Sequence, residues 1–284
     1  MEPINKLLII CGPTATGKTE VAVEFAKKFN GELISADSKQ VYRGMDIGTG
    51  KDREKIDVPI WLLDVVDPDE EFSFSHWVKL AHEAVGDIVS RNKLPIVVGG
   101  TGLYINALIH PPETMDIPPD AGLRKQLRST SVIELQKMVH PSILQLMNQS
   151  DRQNPRRLFR KIEIAKSKKH LHKSKKAFDY LMVGLTAPIP ELFKRIDERV
   201  DNRLRQGMKE EVSRLIKQYG RDIPAMSALG YQSLENWKQD EHAYAKRQLT
   251  WFKKQQDIVW FDIFDPLAKT RMTEQIDSWY TRHT

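Results

Sequence analysis

Residues 6–19 read Lys-Leu-Leu-Ile-Ile-Cys-Gly-Pro-Thr-Ala-Thr-Gly-Lys-Thr. The apolar run at residues 7–11 predicts a strand that is buried on both faces of a sheet. Residues 12–19 then match the pattern G-x-x-x-x-G-K-[ST] at every fixed position, and residues 20–29 have the apolar spacing of a helix. A buried strand, a glycine-bearing loop and a helix in this order are the context that a phosphate-binding loop requires.

The loop predicts a site in which backbone and side-chain groups surround a phosphate. Its glycines let successive N–H groups point inward, and the N-terminus of the following helix adds partial positive charge. Lys18 adds a mobile full charge, and the Thr19 hydroxyl can ligate Mg²⁺, which prefers oxygen ligands. The residues expected to bind phosphate are Gly12, Pro13, Thr14, Ala15, Thr16, Gly17, Lys18 and Thr19. Because ATP is the common occupant of such loops, the loop by itself favours a kinase or an ATPase.

Strand-like runs and helical patterns alternate along most of the chain. Further strands are expected at residues 32–36, 60–64, 95–98, 180–185 and 258–261. Further helices are expected at residues 74–92, 103–109, 189–218 with a break near Gly207, 242–256, and after the last strand. Four prolines within residues 111–119 mark a linker, and amphipathic helical patterns follow at 121–147. We therefore predict an α/β protein with a parallel sheet flanked by helices. Residues 1–112 and 154–284 would form the core, interrupted by a small helical insertion at 113–153.

Positive charge is concentrated in one part of the 284-residue chain. The net charge is +6, but residues 152–176 alone carry 11 Lys or Arg and a single acid, Glu163. Such a concentration exceeds what solubility requires and favours a polyanionic partner. His170 and His172 lie in this segment, and we interpret them as surface histidines because no acid or cysteine accompanies them as a metal ligand.

The single cysteine and the short apolar runs exclude several classes of protein. Cys11 cannot form an internal disulfide, and we expect it to be a buried residue at the end of a strand. No apolar run reaches the roughly 18 residues that a membrane-spanning helix needs, and the first run is too short for a signal peptide. Together with the absence of a long heptad pattern, these features predict a cytoplasmic monomer.

Asp37 follows the second predicted strand. The carboxyl ends of parallel strands line the ligand crevice of an open α/β sheet, so Asp37 is expected to lie near the phosphate-binding loop. A carboxylate there could ligate Mg²⁺, cap a turn or accept a proton, and its position alone leaves these roles open.

Several blocks of sequence together resemble the tRNA dimethylallyltransferase family. They are Gly12-Pro-Thr-Ala-Thr-Gly-Lys-Thr19, Ile34-Ser-Ala-Asp-Ser-Lys-Gln-Val-Tyr-Arg-Gly-Met-Asp-Ile-Gly-Thr49, Leu63-Asp-Val-Val-Asp-Pro68, Val98-Gly-Gly-Thr-Gly-Leu-Tyr104, Ala228-Leu-Gly-Tyr231 and Ala245-Lys-Arg-Gln-Leu-Thr-Trp-Phe252. The blocks occur in the family's order and cover nearly the whole chain. The loop motif is common to many families, whereas the blocks at 37–49 and 246–252 are much more particular.

The resemblance implies a P-loop NTPase-like fold and an enzyme that transfers a dimethylallyl group from dimethylallyl diphosphate to tRNA. The acceptor would be N6 of the adenosine 3′ of the anticodon. The loop would then hold the diphosphate, and Lys18, backbone N–H groups and Mg²⁺ would neutralise it as it leaves. Thr14, Thr19 and Arg199 match family positions that contact the diphosphate, although Arg199 could also be a solvated helix residue.

Two further side chains match family positions at the reacting base. Asp37 matches the carboxylate that accepts the proton of N6, a nitrogen that needs orientation and a proton acceptor because its lone pair is delocalised. Thr101 matches a position near the target adenosine and could also cap the helix that follows it. With Lys18, Thr14 and Arg199, these residues are the expected catalytic set.

The resemblance also implies a surface that binds tRNA. The matching positions are Asp37, Ser38, Lys39, Gln40, Thr101, Arg124, Arg156, Arg157, Leu158, Phe159, Arg160, Ser227, Ala228, Leu229, Gly230, Tyr231 and Gln232. Arg157 and Arg160 are three residues apart and should share a helix face, with Lys161 beside them.

The chain departs from the family pattern in its shorter insertion and at two other places. Residues 149–154 read Gln-Ser-Asp-Arg-Gln-Asn where the family has His-Pro-Asn-Asp, and Gln232 replaces a frequent Lys or Arg. These differences concern tRNA affinity or choice rather than prenyl chemistry. No cysteine-rich segment corresponds to the zinc-binding extension of some relatives.

Two other functions are compatible with parts of the sequence. A small-molecule or nucleoside kinase would bind ATP at the loop, Mg²⁺ at the strand ending in Asp64, and use the insertion as a lid. A noncatalytic tRNA-binding protein would bind tRNA without releasing diphosphate. The block at 37–49 argues against the kinase, and the intact set of Lys18, Thr19, Asp37 and Thr101 argues against the noncatalytic protein.

Overall fold

A computed structural model describes residues 5–115, 117–167 and 178–282. Within these residues, six strands form a single parallel sheet in the order β3-β2-β4-β1-β5-β6. The strands are β1 (Asn5–Cys11), β2 (Gly31–Ser35), β3 (Ile60–Trp61), β4 (Leu94–Gly99), β5 (Phe178–Thr186) and β6 (Ile258–Asp262). The predicted α/β fold with a parallel sheet is confirmed.

The central strands are buried because helices cover both faces of the sheet. Every residue of β2 and β4 is buried, as are the last five residues of β1, which form the apolar run noted in the sequence. Continuous apolar strands are typical of parallel sheets for this reason. The third strand is shorter than the predicted 60–64, because Leu62 and Asp64 have positive φ angles of 65° and 54° and cannot continue it.

Seven helices of the described residues accompany the sheet. They are α1 (Lys18–Lys28), α2 (Phe74–Ser90), α3 (Gly102–Ile109), α9 (Ile189–Arg205), α10 (Met208–Tyr219), α11 (Trp237–Phe252) and α12 (Ala268–Thr281). The predicted break near Gly207 is confirmed, since this residue separates α9 from α10 with a φ of 102°. Helix α11 starts at Trp237, five residues before the predicted start, and the Trp237 side chain is fully buried.

A second compact unit spans His110–Lys175. Its described helices are α4 (Ala121–Leu127), α5 (Val132–Met138), α6 (Pro141–Leu146), α7 (Gln149–Arg152) and α8 (Pro155–Lys166). The insertion is therefore longer than the predicted 113–153. The predicted boundary at residue 154 places α8 in the core, but its Leu158 and Ile162 pack in the separate apolar cluster of this unit, with Leu123 and Leu135. Most of the predicted basic loop, residues 168–176, lies outside the described residues.

The strand order places the phosphate-binding loop at a switch point of the sheet. Strand β1 lies between β4 and β5, and Cys11 at its end is in register with Gly99 and Gly184. The chain leaves β1 through the loop and α1 towards one side of the sheet and returns later to the other side. Crevices at such points are where open α/β sheets bind ligands.

Two glycines, one at the end of β4 and one exposed in α2, test how tightly the backbone is packed at the end of β4. A Cβ on Gly99 would lie 2.3 Å from the backbone oxygen of Ala36, whereas a Cβ on Gly86, exposed in α2, would have nothing within 4 Å. Gly99→Ala should destabilise the protein by about 2 kcal/mol or more, because backbone atoms must move. Gly86→Ala should stabilise it by about 0.5–1 kcal/mol. Urea unfolding of both variants measures these changes, and equal effects would contradict the packing described.

Candidate active site

A cavity of about 360 Å³ lies at the carboxyl ends of the strands. Its walls come from the phosphate-binding loop, the segment that begins at Asp37, the turn at Gly99–Gly100, and helices α9 and α11. Of the expected catalytic residues, Thr14, Lys18, Asp37 and Arg199 line it directly, as does Thr19. The structure thus brings together side chains as far apart in sequence as Thr14 and Arg199.

The loop has the curled backbone that its sequence predicts. Gly12, Ala15 and Gly17 have φ angles of 138°, 64° and 78°. Gly12 could not be replaced without distortion, because a Cβ there would lie 2.3 Å from the backbone oxygen of Leu185 on β5. The Thr16 hydroxyl donates to the Pro13 oxygen at 2.9 Å and closes the loop internally. The result is a preformed cradle at the N-terminus of α1.

Lys18 is poised to bind an anion. Its Nζ donates to the Pro13 oxygen at 2.6 Å, so the side chain lies over the loop. Burial, together with the positive charge of Arg199, lowers the pKa of Lys18 to about 8. An anion in the cavity would offset both effects, because a nearby opposite charge favours the charged form of a lysine.

Arg199 lies on the face of α9 that lines the cavity. Its Nη2 donates to Glu241 Oε2 on α11 at 2.9 Å. Its Nε, by contrast, is buried and has no hydrogen-bond partner. A buried donor without a partner is costly, and a bound phosphate oxygen would satisfy it. The alternative that Arg199 is a solvated helix residue does not agree with this environment.

Asp37 begins a tight turn that leaves part of its carboxylate available. Its Oδ1 accepts hydrogen bonds from the backbone N–H groups of Lys39 at 2.7 Å and Gln40 at 3.3 Å. Both bonds use the same oxygen, so Oδ2 retains the capacity to accept a proton. The turn therefore fixes the side chain without consuming its basic function.

Thr101 links the Asp37 turn to helix α3. Its Oγ1 accepts the Ser38 N–H at 3.3 Å, and its own N–H donates to the Ala36 oxygen at 3.1 Å. Its hydroxyl also interacts with Tyr244, whose pKa is raised chiefly by burial. The Thr101 carbonyl accepts the Ile105 N–H at the start of α3, so the residue serves the helix through its backbone and the site through its hydroxyl.

Several residues of this cavity were missed by sequence reasoning. Gln248 on α11 accepts the Thr14 N–H at 2.9 Å and donates to the Gly100 oxygen at 3.0 Å, and so connects the loop with the end of β4. Its place in the block 245–252 was the available signal. Arg195 and Arg203 also line the cavity, and their spacing of four from Arg199 on one helix was visible in the sequence.

The expected tRNA-binding residues of the first unit are partly exposed and partly buried. Lys39, Ser227 and Gln232 form a small connected group, in which Lys39 Nζ lies 2.5 Å from Ser227 Oγ and Gln232 donates to the Ser227 oxygen at 3.1 Å. Leu229 is half-buried, and Ala228, Gly230 and Tyr231 are buried. The Tyr231 hydroxyl donates to Glu211, so this side chain supports the core.

The expected residues of the second unit also differ in accessibility. Arg156 and Arg157 are exposed, and Phe159 is half-buried. Arg160 does not share the exposure of Arg157, because its Nη2 donates to the Thr114 oxygen at 2.8 Å and its Nη1 lies 3.5 Å from Glu163. Arg124 donates to the same Glu163 carboxylate at 2.6 Å. The Leu158 side chain is fully buried, so its predicted contact with tRNA does not fit this structure.

Other predicted features concern metals, the cysteine and membranes. Within residues 5–115, 117–167 and 178–282, no cluster of three or more His, Cys, Asp or Glu could hold a metal ion. Burial raises the pKa of Cys11 to about 12, which agrees with its predicted structural role. In the same part of the chain, no helix combines the length and apolar character needed to cross a membrane.

Comparisons with protein families and curated proteins identify close similarity to one family. The protein-family model described as IPP transferase matches residues 40–255. A second family model, described as isopentenyl transferase, matches residues 5–57. Proteins named tRNA dimethylallyltransferase from Anoxybacillus flavithermus and Geobacillus thermodenitrificans are each 38% identical to this chain. Both alignments cover 96% of this chain and 95% of the relative.

Solved structures agree with these matches. A tRNA isopentenylpyrophosphate transferase from Bacillus halodurans superposes with a TM-score of 0.73 at 35% identity, covering 97% of this chain and 96% of that chain. A eukaryotic dimethylallyltransferase described as acting on tRNA superposes with a TM-score of 0.80 at 25% identity. The superposition covers 97% of this chain and 79% of that chain. The comparisons confirm the resemblance and the P-loop NTPase-like fold, and they do not favour the kinase. The chain belongs to the tRNA dimethylallyltransferase family of enzymes.

Proposed function

We propose that this protein transfers a dimethylallyl group from dimethylallyl diphosphate to N6 of the adenosine 3′ of the anticodon in tRNA. The observation that carries the proposal is one cavity that combines a phosphate-binding loop with Lys18, Arg199 and Asp37. The loop and the two cations suit a diphosphate, and the carboxylate suits a proton acceptor. Membership of the tRNA dimethylallyltransferase family supports the choice of substrates.

The diphosphate would be held by donors from the loop and from α9. Lys18 and the backbone N–H groups of residues 15–19 are the donors at the loop, and Arg199 Nε is a buried donor without a partner on α9. Negative charge on the leaving group increases as the allylic C–O bond breaks. Preorganised donors at this position stabilise the transition state more than the ground state, which is the condition for catalysis.

Asp37 would act on the acceptor nucleotide. In the reaction, N6 forms a bond to C1 of the dimethylallyl group, the bond between C1 and the diphosphate oxygen breaks, and one proton leaves N6. We assign that proton to Asp37 Oδ2, with the turn at Lys39 and Gln40 keeping the carboxylate in place. Thr101, bonded to the same turn, would help to position the adenosine.

Mg²⁺ is the proposed cofactor. Thr19 lines the cavity, and Mg²⁺ commonly uses one or two protein ligands together with phosphate oxygens and water. The Thr19 hydroxyl is therefore a sufficient protein ligand for this ion, without a cluster of metal-binding side chains. When bound with the diphosphate, Mg²⁺ would neutralise charge on the leaving group.

Each unit separately has exposed or half-buried residues that we propose to contact tRNA. In the first unit these are Ser38, Lys39, Ser227 and Gln232, and in the second they are Arg156 and Arg157. Because positive side chains bind the phosphate backbone, affinity for tRNA should fall as the salt concentration rises. With tRNA as acceptor, we expect the protein to act in the cytoplasm, as a monomer.

The proposal is tested by incubating the protein with Mg²⁺, dimethylallyl diphosphate and an unmodified tRNA that has adenosine 3′ of its anticodon. The RNA is then digested and its nucleosides are weighed by mass spectrometry. The expected result is one dimethylallyl group per tRNA on that adenosine, with release of diphosphate. A tRNA with guanosine at the same position is the matched control and should gain nothing.

The same assay separates the two alternative functions. Phosphoryl transfer or ATP hydrolysis without any prenylated nucleoside would support the kinase. Binding of tRNA without diphosphate release from any tested donor would support the noncatalytic protein. Either result would overturn the proposed reaction.

A further inference from the structure

Arg203 is a buried arginine in the cavity to which no role has yet been given. It lies on α9 four residues after Arg199, so the two side chains share a helix face. Arg203 is only 6% exposed, although its side chain lines the cavity. Burial lowers the pKa of Arg203 to about 10, and the charge of Arg199 contributes in the same direction. At neutral pH its guanidinium is therefore a buried positive charge.

The contacts of Arg203 within the protein do not neutralise that charge. Its Nη1 donates to the Gly48 oxygen at 3.1 Å. In the part of the chain that the structure describes, no carboxylate lies within ion-pair distance of the guanidinium. A guanidinium has five N–H donors, and this single hydrogen bond uses one of them. Burying a charge without a close partner costs free energy, and an anion from outside the chain would offset that cost.

Two other cations of the cavity lining, unlike Arg203, are paired with carboxylates. Arg199 is paired with Glu241, and Lys51 is paired with both Asp46 and Asp64. Lys18 and Arg203 have only carbonyl oxygens as partners, as does the exposed Arg195. Arg199 lowers the pKa of both, so it lies within electrostatic range of each. Glu241 and Asp52 act on Arg203, and Asp37 and Glu20 act on Lys18, only from beyond ion-pair distance. The cavity therefore contains at least two cations without a carboxylate at ion-pair distance, with Arg199 near both, an arrangement that suits a ligand with two adjacent anionic groups.

We propose that Arg203 is a further diphosphate-binding residue, which contacts the terminal phosphate group of the allylic donor while the loop and Lys18 hold the remainder. A planar guanidinium can donate two parallel hydrogen bonds to one phosphate group, which a lysine cannot do. This inference rests on the proposed function, because it takes the allylic diphosphate as the ligand of the cavity. It adds a residue that selects a diphosphate over a monophosphate.

A purely structural role for Arg203 makes different predictions. Its bond to the Gly48 oxygen could simply support the turn at residues 46–50, and a Cβ on Gly50 would collide with the Arg203 Nη2 atom. If that were its only role, substitution would lower the melting temperature of the free protein and would change the affinity for diphosphate and monophosphate equally.

The test uses calorimetric binding of inorganic pyrophosphate and of orthophosphate, both with Mg²⁺ and without tRNA. Arg203→Gln removes the charge but can still donate to the Gly48 oxygen, and Arg203→Met removes both functions. We expect each to weaken pyrophosphate binding by about tenfold or more, as charge-assisted hydrogen bonds to phosphate are lost, and to change orthophosphate binding much less. Arg203→Lys keeps the charge and should lose less affinity than either. Arg205→Met, an exposed arginine of the same helix outside the cavity lining, is the matched control.

Steady-state kinetics and melting temperatures complete the test. The KM for dimethylallyl diphosphate should rise in Arg203→Gln while the KM for tRNA stays near its wild-type value. Unchanged pyrophosphate affinity in Arg203→Gln would overturn the inference, as would equal loss for both anions with a lower melting temperature. If Arg203→Met does not fold, Arg203→Gln and Arg203→Lys decide the question. Lys18→Met distinguishes failure of the inference about Arg203 from failure of the proposed function. If Lys18→Met also leaves pyrophosphate binding unchanged, the diphosphate site itself is wrongly assigned.

Discussion

Asp37→Asn is expected to reduce kcat for prenylation by about 10²–10⁴-fold, the usual contribution of a positioned general base. The amide has nearly the shape of the carboxylate, and its oxygen can still accept the N–H groups of Lys39 and Gln40. The turn should therefore persist while the proton acceptor is lost. We expect the KM values for both substrates to change only a few-fold. The kcat is measured from time courses at saturating substrate, in which the reaction is quenched and the nucleosides are analysed by mass spectrometry.

Asp262→Asn is the matched control for this substitution. The Asp262 Oδ1 atom accepts the Phe264 N–H at 2.9 Å, so it makes the same kind of turn as Asp37, but it does not line the cavity. The kcat of Asp262→Asn should equal that of the wild type. Wild-type turnover in Asp37→Asn would show that another group accepts the proton. A similar loss in both variants would show that the assay reports general damage to the fold.

The phosphate-binding loop could be predicted from sequence because its structure is local. A buried strand, glycines at fixed positions and a helix start lie within one continuous segment, and the curled backbone at Gly12, Ala15 and Gly17 follows from that order. Asp37 could be placed near the loop for a related reason, since parallel strands end at the same edge of a sheet. These features depend on connectivity rather than on details of packing.

Contacts between distant elements could not be predicted in this way. Gln248 bonds to Thr14 across 234 positions, and nothing in the local pattern of α11 distinguishes a residue that bridges two loops from one that packs in the core. Burial of Leu158 and the inward bonds of Arg160 depend likewise on how the helices of the second unit pack. The resemblance identified α8 as a tRNA-binding segment, but only packing decides which of its side chains remain accessible.

Lys18→Met is expected to reduce kcat/KM for dimethylallyl diphosphate by about 10²–10³-fold, as when a preorganised donor to a developing anion is removed. Methionine keeps much of the apolar length of the side chain, so the loop should fold, while the full positive charge beside the leaving group is lost. Lys27→Met on the same helix is the control. Lys27 is exposed and is paired with Asp57 at 2.5 Å, so its loss should leave kcat/KM unchanged. An equal effect of both substitutions would contradict a specific role for Lys18.

The pKa of Lys18 gives this prediction a second, independent readout. In the free protein the pKa is lowered to about 8, so the side chain loses its proton as the pH rises through that value. A bound diphosphate favours the charged form, and binding above pH 8 must therefore take up a proton. The wild-type affinity for pyrophosphate should fall relative to that of Lys18→Met by up to about tenfold per pH unit above this value, because one proton is linked to binding. Taking the ratio of the two proteins removes the titration of pyrophosphate itself, which is common to both. A ratio that stays constant between pH 7 and 10 would show that Lys18 does not bind the diphosphate through its charge.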